Sequence, residues 1–327
     1  MKKINVVLVG VGHDHAHDAF LYITSSDSFD LLGIVLDEND NGNYLKWKED
    51  YDKYKHYTVD EVLLNNNVDA VVVESGDTTL TKYATIFASK GLPVHMDKPG
   101  SQDKESFDKL IDICRENNAP LHLGYMYRYN PSIKKALEIC RSGLVGEIYS
   151  VEAHMSINLS KEKRVWLNNF EGGMMNYLGC HLVDLVVSLL GKPDEVTPYL
   201  SKSSNDVGID MALAVFKYKD KYSHINTSGI EFDGFSRRHI TICAEKMTID
   251  ISPTEIIKDG ELHSVSIYKA PVVVEGVPIG EVTYGPTHRY KSMFEEFASI
   301  VRKEKDNPYT LEHEQLVHDI LLKACGK

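Results

Sequence analysis

The first residues suited to chemistry are two glycines, Gly10 and Gly12, directly after the apolar run Ile4–Val9. Glycines here allow a tight turn and bring the backbone close to a pyrophosphate at the start of a helix. His15 stands where a GxGxxG motif has its third glycine, so a purely structural turn is an alternative. The turn predicts dinucleotide binding only if a second signal supports it.

An acidic residue further along provides that signal. Asp37 lies 25 residues after Gly12, close to the roughly 20-residue offset at which a carboxylate accepts the ribose hydroxyls of an adenosine. No Arg or Lys occurs between Asp37 and Asn43 to receive a 2′-phosphate. The pattern therefore predicts NAD as the cofactor and disfavours NADP.

The same turn is rich in histidine. His13, His15 and His17, with Asp14 and Asp18, offer groups that suit zinc or a similar ion. A His-x-His pair after a first strand also begins the metal site of TIM-barrel hydrolases, which makes a metal-dependent hydrolase an alternative. Such a site needs ligands from later strands and a barrel of eight strand–helix units, which the second half of the chain does not fit. We therefore predict no metal, and polar residues near phosphate instead.

A lysine forms the next candidate. Lys98 follows Asp97 and precedes Pro99 at the end of a predicted strand. Proline disfavours a helical conformation at Lys98 and keeps it at the carboxyl edge of the sheet, where doubly wound folds bind ligands. A partly desolvated lysine there can exchange a proton with a substrate hydroxyl. The alternative is a solvated lysine before a structural proline.

The scaffold for these residues is predicted by the first third of the chain. Short β-branched runs alternate there with helical periods, which is typical of parallel strands joined by crossover helices. Nearly continuous apolar strands indicate burial on both faces, so we predict an α/β doubly wound parallel sheet. The predicted strands are Ile4–Val9, Leu31–Leu36, Ala70–Val73, Pro93–Met96 and Leu121–Leu123, and the predicted helices contain Ala16–Ile23, Leu80–Phe87 and Phe107–Cys114.

The pattern changes after about residue 125. Strand-like runs with tight turns predict an antiparallel sheet, so the second domain is α+β. The predicted domains are 1–124 and 125–327, with the last helices packing back on the first. The predicted helices here are Ser132–Ser142, Asn176–Leu190, Arg289–Glu304 and Leu311–Ala324, and the predicted strands are Val196–Leu200, Ala212–Tyr218, Tyr222–Ser228, His239–Cys243, Met247–Ile251 and Ser264–Tyr268.

Composition narrows the class of protein. The 327 residues have a net charge of −12, which repels a phosphate backbone, so we expect no nucleic-acid partner. Five cysteines without a CxxC pair indicate reduced thiols and a cytoplasmic protein. The N-terminal apolar run is too short for a signal peptide, and no run of about 18 apolar residues predicts a membrane span.

Several motifs together resemble the Gfo/Idh/MocA family, which includes glucose-fructose oxidoreductase, inositol dehydrogenase and a rhizopine-catabolism protein. The resemblance extends from end to end and implies an N-terminal Rossmann domain, a C-terminal domain with a large, mostly antiparallel open sheet, NAD(P), and hydride transfer on a sugar or polyol. It also implies a homodimer or homotetramer formed through the open sheet face. The matching segments are Gly10-Val11-Gly12, Ser89–Pro99, Arg128-Tyr129-Asn130-Pro131, Glu171-Gly172-Gly173, Leu178–Asp184, Phe294–Phe297 and Ala324–Lys327.

The resemblance also implies roles for individual residues. Lys98 matches the family's catalytic lysine and His181 its proton-transfer histidine, although a buried core histidine is the alternative. Tyr177 stands where family members with the full catalytic trio have an aspartate, four residues before the histidine. A tyrosine cannot supply a carboxylate near pH 7, so a dinucleotide-binding sensor with reduced turnover is a second hypothesis. The predicted cofactor-binding residues are Gly10, Gly12, His13, Asp14, Asp37, Ser75, Gly76, Asp97 and Lys98, and the predicted substrate-binding residues are Tyr127, Trp166, Asn176 and His181.

Overall fold

The computed structural model describes residues 2–38, 40–271 and 276–327. Its chain divides into two compact units, one of residues up to Met126 together with Tyr290–His318, and one of Tyr127–Arg289 with Asp319–Lys327. Among the described residues, no helix is both long and apolar enough to cross a membrane.

The first unit is built on a six-stranded parallel sheet in the order β3-β2-β1-β4-β5-β6. Strands β1 and β4 lie at its centre, and every residue of β4 is buried because helices cover both faces. The predicted doubly wound sheet is confirmed, and it is open, not a closed barrel. Its elements are β1 Ile4–Val9, α1 Ala16–Ser25, β2 Phe29–Val35, α2 Asn41–Lys46, α3 Lys48–Tyr51, β3 Lys55–His56, α4 Val59–Leu63, β4 Ala70–Val73, α5 Leu80–Ala88, β5 Val94–Met96, α6 Lys104–Glu116 and β6 Leu121–Leu123.

The second unit is built on a nine-stranded sheet in the order β13-β14-β12-β11-β7-β10-β9-β8, with β15 beside β14. All of its strand pairs are antiparallel except β7 with β10. The predicted, mostly antiparallel sheet is confirmed. Its elements are α7 Pro131–Arg141, β7 Ile148–His154, α8 Lys161–Trp166, α9 Cys180–Leu190, β8 Glu195–Ser201, β9 Met211–Lys217, β10 Tyr222–Ser228, β11 His239–Ala244, β12 Thr248–Ile251, β13 Ile256–Lys258, β14 Glu261–Lys269 and β15 Gly280–Tyr284, and the chain closes with α10 Lys291–Val301 and α11 Leu311–Ala324.

One predicted element is wrong in its detail. The apolar pattern predicts an unbroken helix from Asn176 to Leu190, but Met175–Gly179 forms a π-helical turn and the α-helix begins at Cys180. A π turn inserts extra backbone into a helix and changes which residues share a face. The α-helical spacing assumed for Tyr177 and His181 therefore does not hold.

The strand β7 was not predicted from the sequence. Half-buried and buried residues alternate only from Ser150 to His154, and Tyr149, Glu152 and His154 make the run less apolar than its neighbours. It lies inside the sheet between β10 and β11, so partners on both sides stabilise a strand of weak local propensity.

Candidate functional site

The turn between β1 and α1 is closed by glycines. Gly10 has a φ of +76°, and a β-carbon there would lie 2.3 Å from the Cα of Ser75. A β-carbon on Gly12 would lie 2.9 Å from the amide nitrogen of Gly76. Only glycine fits this approach, which brings together four of the nine predicted cofactor-binding residues, Gly10, Gly12, Ser75 and Gly76.

Asp37 follows β2 at the same edge of the sheet and is held by three donors. Its carboxylate accepts hydrogen bonds from the Tyr83 hydroxyl at 2.9 Å, the Thr79 hydroxyl at 2.8 Å and the Glu38 amide at 2.8 Å. A carboxylate has about four acceptor positions, and donors among the described residues occupy three of those on Asp37. The turn, the start of α1 and Asp37 thus fit the phosphates and adenosine ribose of NAD(P).

A second carboxylate, not recognised from the sequence, lies against the turn. Asp40 is 2% exposed, and one oxygen accepts from the Asp37 amide at 2.7 Å. Burial raises the pKa of Asp40 to about 6, although hydrogen bonds from backbone amides, that of Asp37 first, stabilise its charged form. Its other oxygen would lie 2.8 Å from a β-carbon on Gly12, so Asp40 makes the turn more acidic.

Lys98 and Asp97 follow β5 and are both buried. The Lys98 amide donates to Asp97 Oδ1 at 2.6 Å, which holds the lysine at the carboxyl edge of the sheet. The Lys98–Pro99 peptide is cis. The lysine predicted to handle the substrate is therefore a desolvated residue, not an ordinary surface lysine.

Histidines and carboxylates converge beside Lys98. Asp97 Oδ2 lies 3.2 Å from His13 Nδ1 and 2.9 Å from His15 Nδ1. Burial alone would raise the pKa of Asp97, but attraction to the two histidines outweighs it and holds that pKa well below its usual range. Asp14, which was predicted to bind cofactor with them, is exposed.

The buried charges continue along the neighbouring strands. Glu74 directly follows β4, and burial raises its pKa well above the usual range, with repulsion from Asp97 adding to the effect. His95 in β5 and His122 in β6 meet at 2.7 Å between their Nδ1 atoms, and burial lowers the pKa of His95 to about 4. Sequence reasoning missed these three residues, although each is a polar residue in or directly after a short apolar strand.

In the second unit, His181 lies in the first turn of α9 and is buried. Its ring meets the ring of Tyr127 edge to face, with 5.0 Å between centroids. The Tyr127 hydroxyl accepts from Arg238 at 2.7 Å and donates to Glu255 at 3.3 Å. A buried Arg128–Asp184 ion pair, also missed from the sequence, anchors α9 three residues beyond His181.

Tyr177 has a different set of neighbours. Its ring lies 5.5 Å from that of Trp166, edge to face, and both pack on a small apolar cluster formed by Leu167, Phe170 and Met174. The Lys163 ammonium lies 3.4 Å from the Trp166 ring centroid, a favourable cation–π contact. Trp166 and Tyr177 are each half-buried, so this aromatic pair retains surface for a ligand.

Asn176 was predicted to bind substrate, and it is 1% exposed. A hydrogen bond from its side chain stabilises the thiolate form of Cys325, whereas burial is the larger effect and raises that pKa to about 12. The structure thus places Asn176 in the interior of the second unit.

Two descriptions of protein families match the chain. "Oxidoreductase family, NAD-binding Rossmann fold" matches residues 4–125, and "GFO/IDH/MocA C-terminal domain" matches residues 133–250. Together they cover well over half of the chain. The chain belongs to the Gfo/Idh/MocA family of oxidoreductases.

Individual Gfo/Idh/MocA relatives are distant in sequence. A D-xylose 1-dehydrogenase (NADP(+)) of Haloferax volcanii is 23% identical over 245 residues, 73% of this chain and 72% of that protein. An uncharacterized oxidoreductase of Schizosaccharomyces pombe is 27% identical over 149 residues, which are 45% of this chain and 40% of that protein.

Solved structures share the fold along the whole chain. The WlbA dehydrogenase of Bordetella pertussis, in complex with NADH and UDP-GlcNAcA, has a TM-score of 0.78 and 18% identity, and the match covers 100% of this chain and 97% of that one. GenD2 from gentamicin A biosynthesis, in complex with NAD, has a TM-score of 0.76 and 19% identity over 99% and 93% of the two chains. The predicted fold class is thereby confirmed.

Proposed function

We propose that this protein is an NAD-dependent oxidoreductase that transfers a hydride between nicotinamide and a sugar, polyol or related hydroxy or keto compound. The observation that carries the proposal is the glycine turn, in which a β-carbon at Gly10 would lie 2.3 Å from the backbone of Ser75. Gly10, Gly12, Ser75 and Gly76 would hold the pyrophosphate, and Asp37 the adenosine ribose. The sugar class is supported by a relative named for D-xylose and by a dehydrogenase of the same fold in complex with UDP-GlcNAcA.

NAD is proposed over NADP because the ribose end of this site is acidic. Asp37 and Asp40 are both buried there, and the sequence from Asp37 to Asn43 has no cation to neutralise a 2′-phosphate. The Haloferax relative is named for NADP, so cofactor choice is a property to measure in this chain.

Lys98 and His181 are proposed to handle the substrate hydroxyl. When bound, nicotinamide supplies the acceptor or donor of the hydride. The Lys98 ammonium donates a hydrogen bond to the hydroxyl oxygen and orients it, and a ring nitrogen of His181 takes the hydroxyl proton when the alcohol is oxidised. Trp166, Tyr127 and Tyr177 contribute aromatic surface and hydrogen bonds for a sugar.

The test is to measure turnover on a panel of aldoses, polyols and nucleotide sugars, with the formation of NADH from NAD as the readout. We expect turnover of at least one compound, and a loss of roughly 100-fold or more in Lys98→Met with NADH affinity retained. Lys90→Met, which removes an exposed lysine of the same unit, is the matched control. Equal rates in Lys98→Met and wild type would remove Lys98 from the mechanism.

A sensor that binds the dinucleotide with reduced turnover is the second candidate. Tyr177 favours this sensor hypothesis. The tyrosine stands where family members with the full catalytic trio have an aspartate, and its ring contacts Trp166. The hypothesis predicts NADH binding, no turnover on any panel member, and a large gain in rate in Tyr177→Asp. If Tyr177→Phe instead lowers turnover about tenfold, the tyrosine hydroxyl serves the oxidoreductase.

We also propose that the chain forms a homodimer or homotetramer through the outer face of the large sheet. Leu213 and Val215 lie on that face of β9 and are half-buried, next to their cross-strand neighbours Tyr199 and Thr197 in β8. Tyr199 is 60% exposed. An apolar sheet face of this kind is stabilised when a second copy covers it.

A further inference from the structure

Four donor atoms from three adjacent strands converge at the carboxyl edge of the parallel sheet. His13 and His15 follow β1, Glu74 follows β4, and Asp97 follows β5. These strands are neighbours in the order β1-β4-β5, so their ends meet at one place. The prediction of no metal rested on the lack of ligands from later strands and on the absence of a barrel pattern, whereas Glu74 and Asp97 follow later strands and have side chains of the ligand type.

Three of these residues, His13, His15 and Asp97, form a group compact enough to hold a metal ion, and Glu74 lies next to that group beside His13. Zinc bonds to nitrogen and oxygen of about 2.0–2.2 Å place neighbouring ligand atoms about 3.3–3.6 Å apart. His13 Nδ1 lies 3.2 Å from Asp97 Oδ2 and 3.6 Å from Glu74 Oε2. His15 Nδ1 lies 2.9 Å from the same Asp97 oxygen, and the potential ligand atoms of His13, His15 and Asp97 all lie within 4.8 Å of one another.

Two acceptor groups of this cluster could serve a cation. The His15 backbone amide donates to His13 Nδ1 at 3.2 Å, so this nitrogen carries a lone pair and no hydrogen in this arrangement, and a cation would take that lone pair in place of the amide. Neither oxygen of Glu74 has a hydrogen-bond partner among the described residues, and the side chain is fully buried. The charged form of a buried carboxyl group without a donor is costly, and a cation would stabilise that form.

The surroundings are also those of a metal ligand. Asp77 Oδ1 lies 3.5 Å from His13 Nε2, on the side of the ring away from Nδ1. A carboxylate behind a ligating histidine orients the ring and makes it a better ligand. Asp97 is oriented in turn by the Lys98 amide.

We propose that His13, His15, Glu74 and Asp97 bind one divalent transition-metal cation of the zinc type. Two imidazole nitrogens and two carboxylate oxygens suit zinc better than the harder Mg²⁺ and Ca²⁺. The cation would neutralise two carboxylates and hold the Asp97 side chain in place. Because the Lys98 amide donates to Asp97, the cation would also help to position the backbone of Lys98. The site differs from that of a barrel hydrolase because its ligands come from an open six-stranded sheet.

The rival explanation has no metal and an extra proton on His13. Burial lowers the pKa of His13, but Asp97 and Asp77 outweigh burial and raise it to about 10 when no cation is present. In that state Nδ1 would carry a hydrogen and could not accept from the His15 amide. The two explanations therefore predict different metal binding.

The test uses full-length protein dialysed against EDTA, with Zn²⁺ added in a calorimeter and Co²⁺ as a spectroscopic probe. We expect one Zn²⁺ per chain and a Co²⁺ absorption spectrum of the intense, four-coordinate type. His15→Ala and Glu74→Gln should each weaken Zn²⁺ binding by more than about 100-fold, since loss of even an outer partner costs 10- to 100-fold. Turnover is not needed for either readout, so failure of the oxidoreductase proposal would not affect the result.

His17→Ala is the matched control, because His17 belongs to the same histidine motif but stacks on Trp47 at 3.7 Å. It should bind Zn²⁺ as wild type does, and Zn²⁺ should raise the Tm of wild type and His17→Ala but not of His15→Ala. Absence of stoichiometric Zn²⁺ binding by wild type, or equal weakening in His17→Ala and His15→Ala, would overturn the proposal. If His15→Ala does not fold, the Co²⁺ spectra of wild type and Glu74→Gln decide.

Discussion

Among single residues, the carboxylates next to the glycine turn are the ones proposed to decide between NAD and NADP. Asp37 is held rigidly by Thr79 and Tyr83, so it cannot rotate away from a 2′-phosphate without losing both hydrogen bonds. Asp40 adds a second buried carboxyl group behind it. These two acidic groups are the basis on which we propose that a ribose hydroxyl is favoured over a 2′-phosphate here.

We expect NADH to bind at least about tenfold more tightly than NADPH, a difference of roughly 1.4 kcal/mol. Asp37→Ser should narrow that ratio because a neutral hydroxyl does not repel the phosphate. Calorimetric titration of both nucleotides measures it. NADPH binding that equals or exceeds NADH binding in wild type would refute the assignment of Asp37.

Asp40 predicts a pH dependence of stability. Its pKa is raised to about 6 in the folded protein from an ordinary 3.8, so the folded state binds more protons than the unfolded state between these values. Stability therefore falls as the pH rises through this window, and the penalty persists at neutral pH. Asp40→Asn should raise the free energy of unfolding at pH 7 by about 1–3 kcal/mol.

Urea unfolding of Asp40→Asn and wild type at several pH values tests this point. The difference between them should grow from about pH 4 to pH 6 and then stay constant. A difference independent of pH would show that the carboxyl group is not the cause.

At the scale of elements, the close approach of the β1–α1 turn to the segment after β4 is the most demanding local feature. Gly10 and Gly143 both have a φ of +76°, but a β-carbon on Gly143 would meet nothing within 4 Å. Substitution of Gly143 therefore measures the free-energy cost of the backbone conformation alone, whereas substitution of Gly10 adds the cost of a steric clash.

We expect Gly143→Ala to cost about 1 kcal/mol, the conformational penalty for a residue with a β-carbon at positive φ. Gly10→Ala should cost at least about 1–3 kcal/mol more because the backbone of Ser75 must move. Urea unfolding measures both. Equal losses would mean that the turn and the β4 segment are not in contact.

Some elements and site residues could be predicted from the sequence and others could not. Runs such as Ala70–Val73 and Leu311–Ala324 are found at the predicted residues, because long periodic or continuous apolar patterns leave few alternatives. The glycine turn, Asp37 and Lys98 were predicted from their position after strands. Glu74 was not, because a single buried carboxyl group has no sequence pattern and its neighbours come from other strands. The π turn at Met175–Gly179 was also missed, since its residues fit an α-helical pattern equally well.

At the scale of the whole molecule, the large sheet predicts self-association. One face of β9 carries the buried Ala212, Ala214 and Phe216, and the other carries Leu213 and Val215. Sedimentation should show that the wild-type protein is a dimer or a tetramer. The Leu213→Arg variant should be shifted toward the monomer, because a charge in an apolar interface is desolvated without a partner. The control variant Lys217→Arg, on the same strand, should keep the wild-type oligomeric state. A monomeric wild type would contradict the proposed interface.

The first unit is proposed to bind NAD(H) through the adenosine ribose and pyrophosphate of the nucleotide. This binding can be measured by calorimetric titration of NADH into the purified full-length protein, alone and in the presence of ADP-ribose. We predict one NADH per chain, with ADP-ribose competing for the same site because it carries the groups that Asp37 and the glycine turn recognise. Absence of NADH binding, or NADH binding that ADP-ribose does not displace, would show that the glycine turn and Asp37 do not form the nucleotide site.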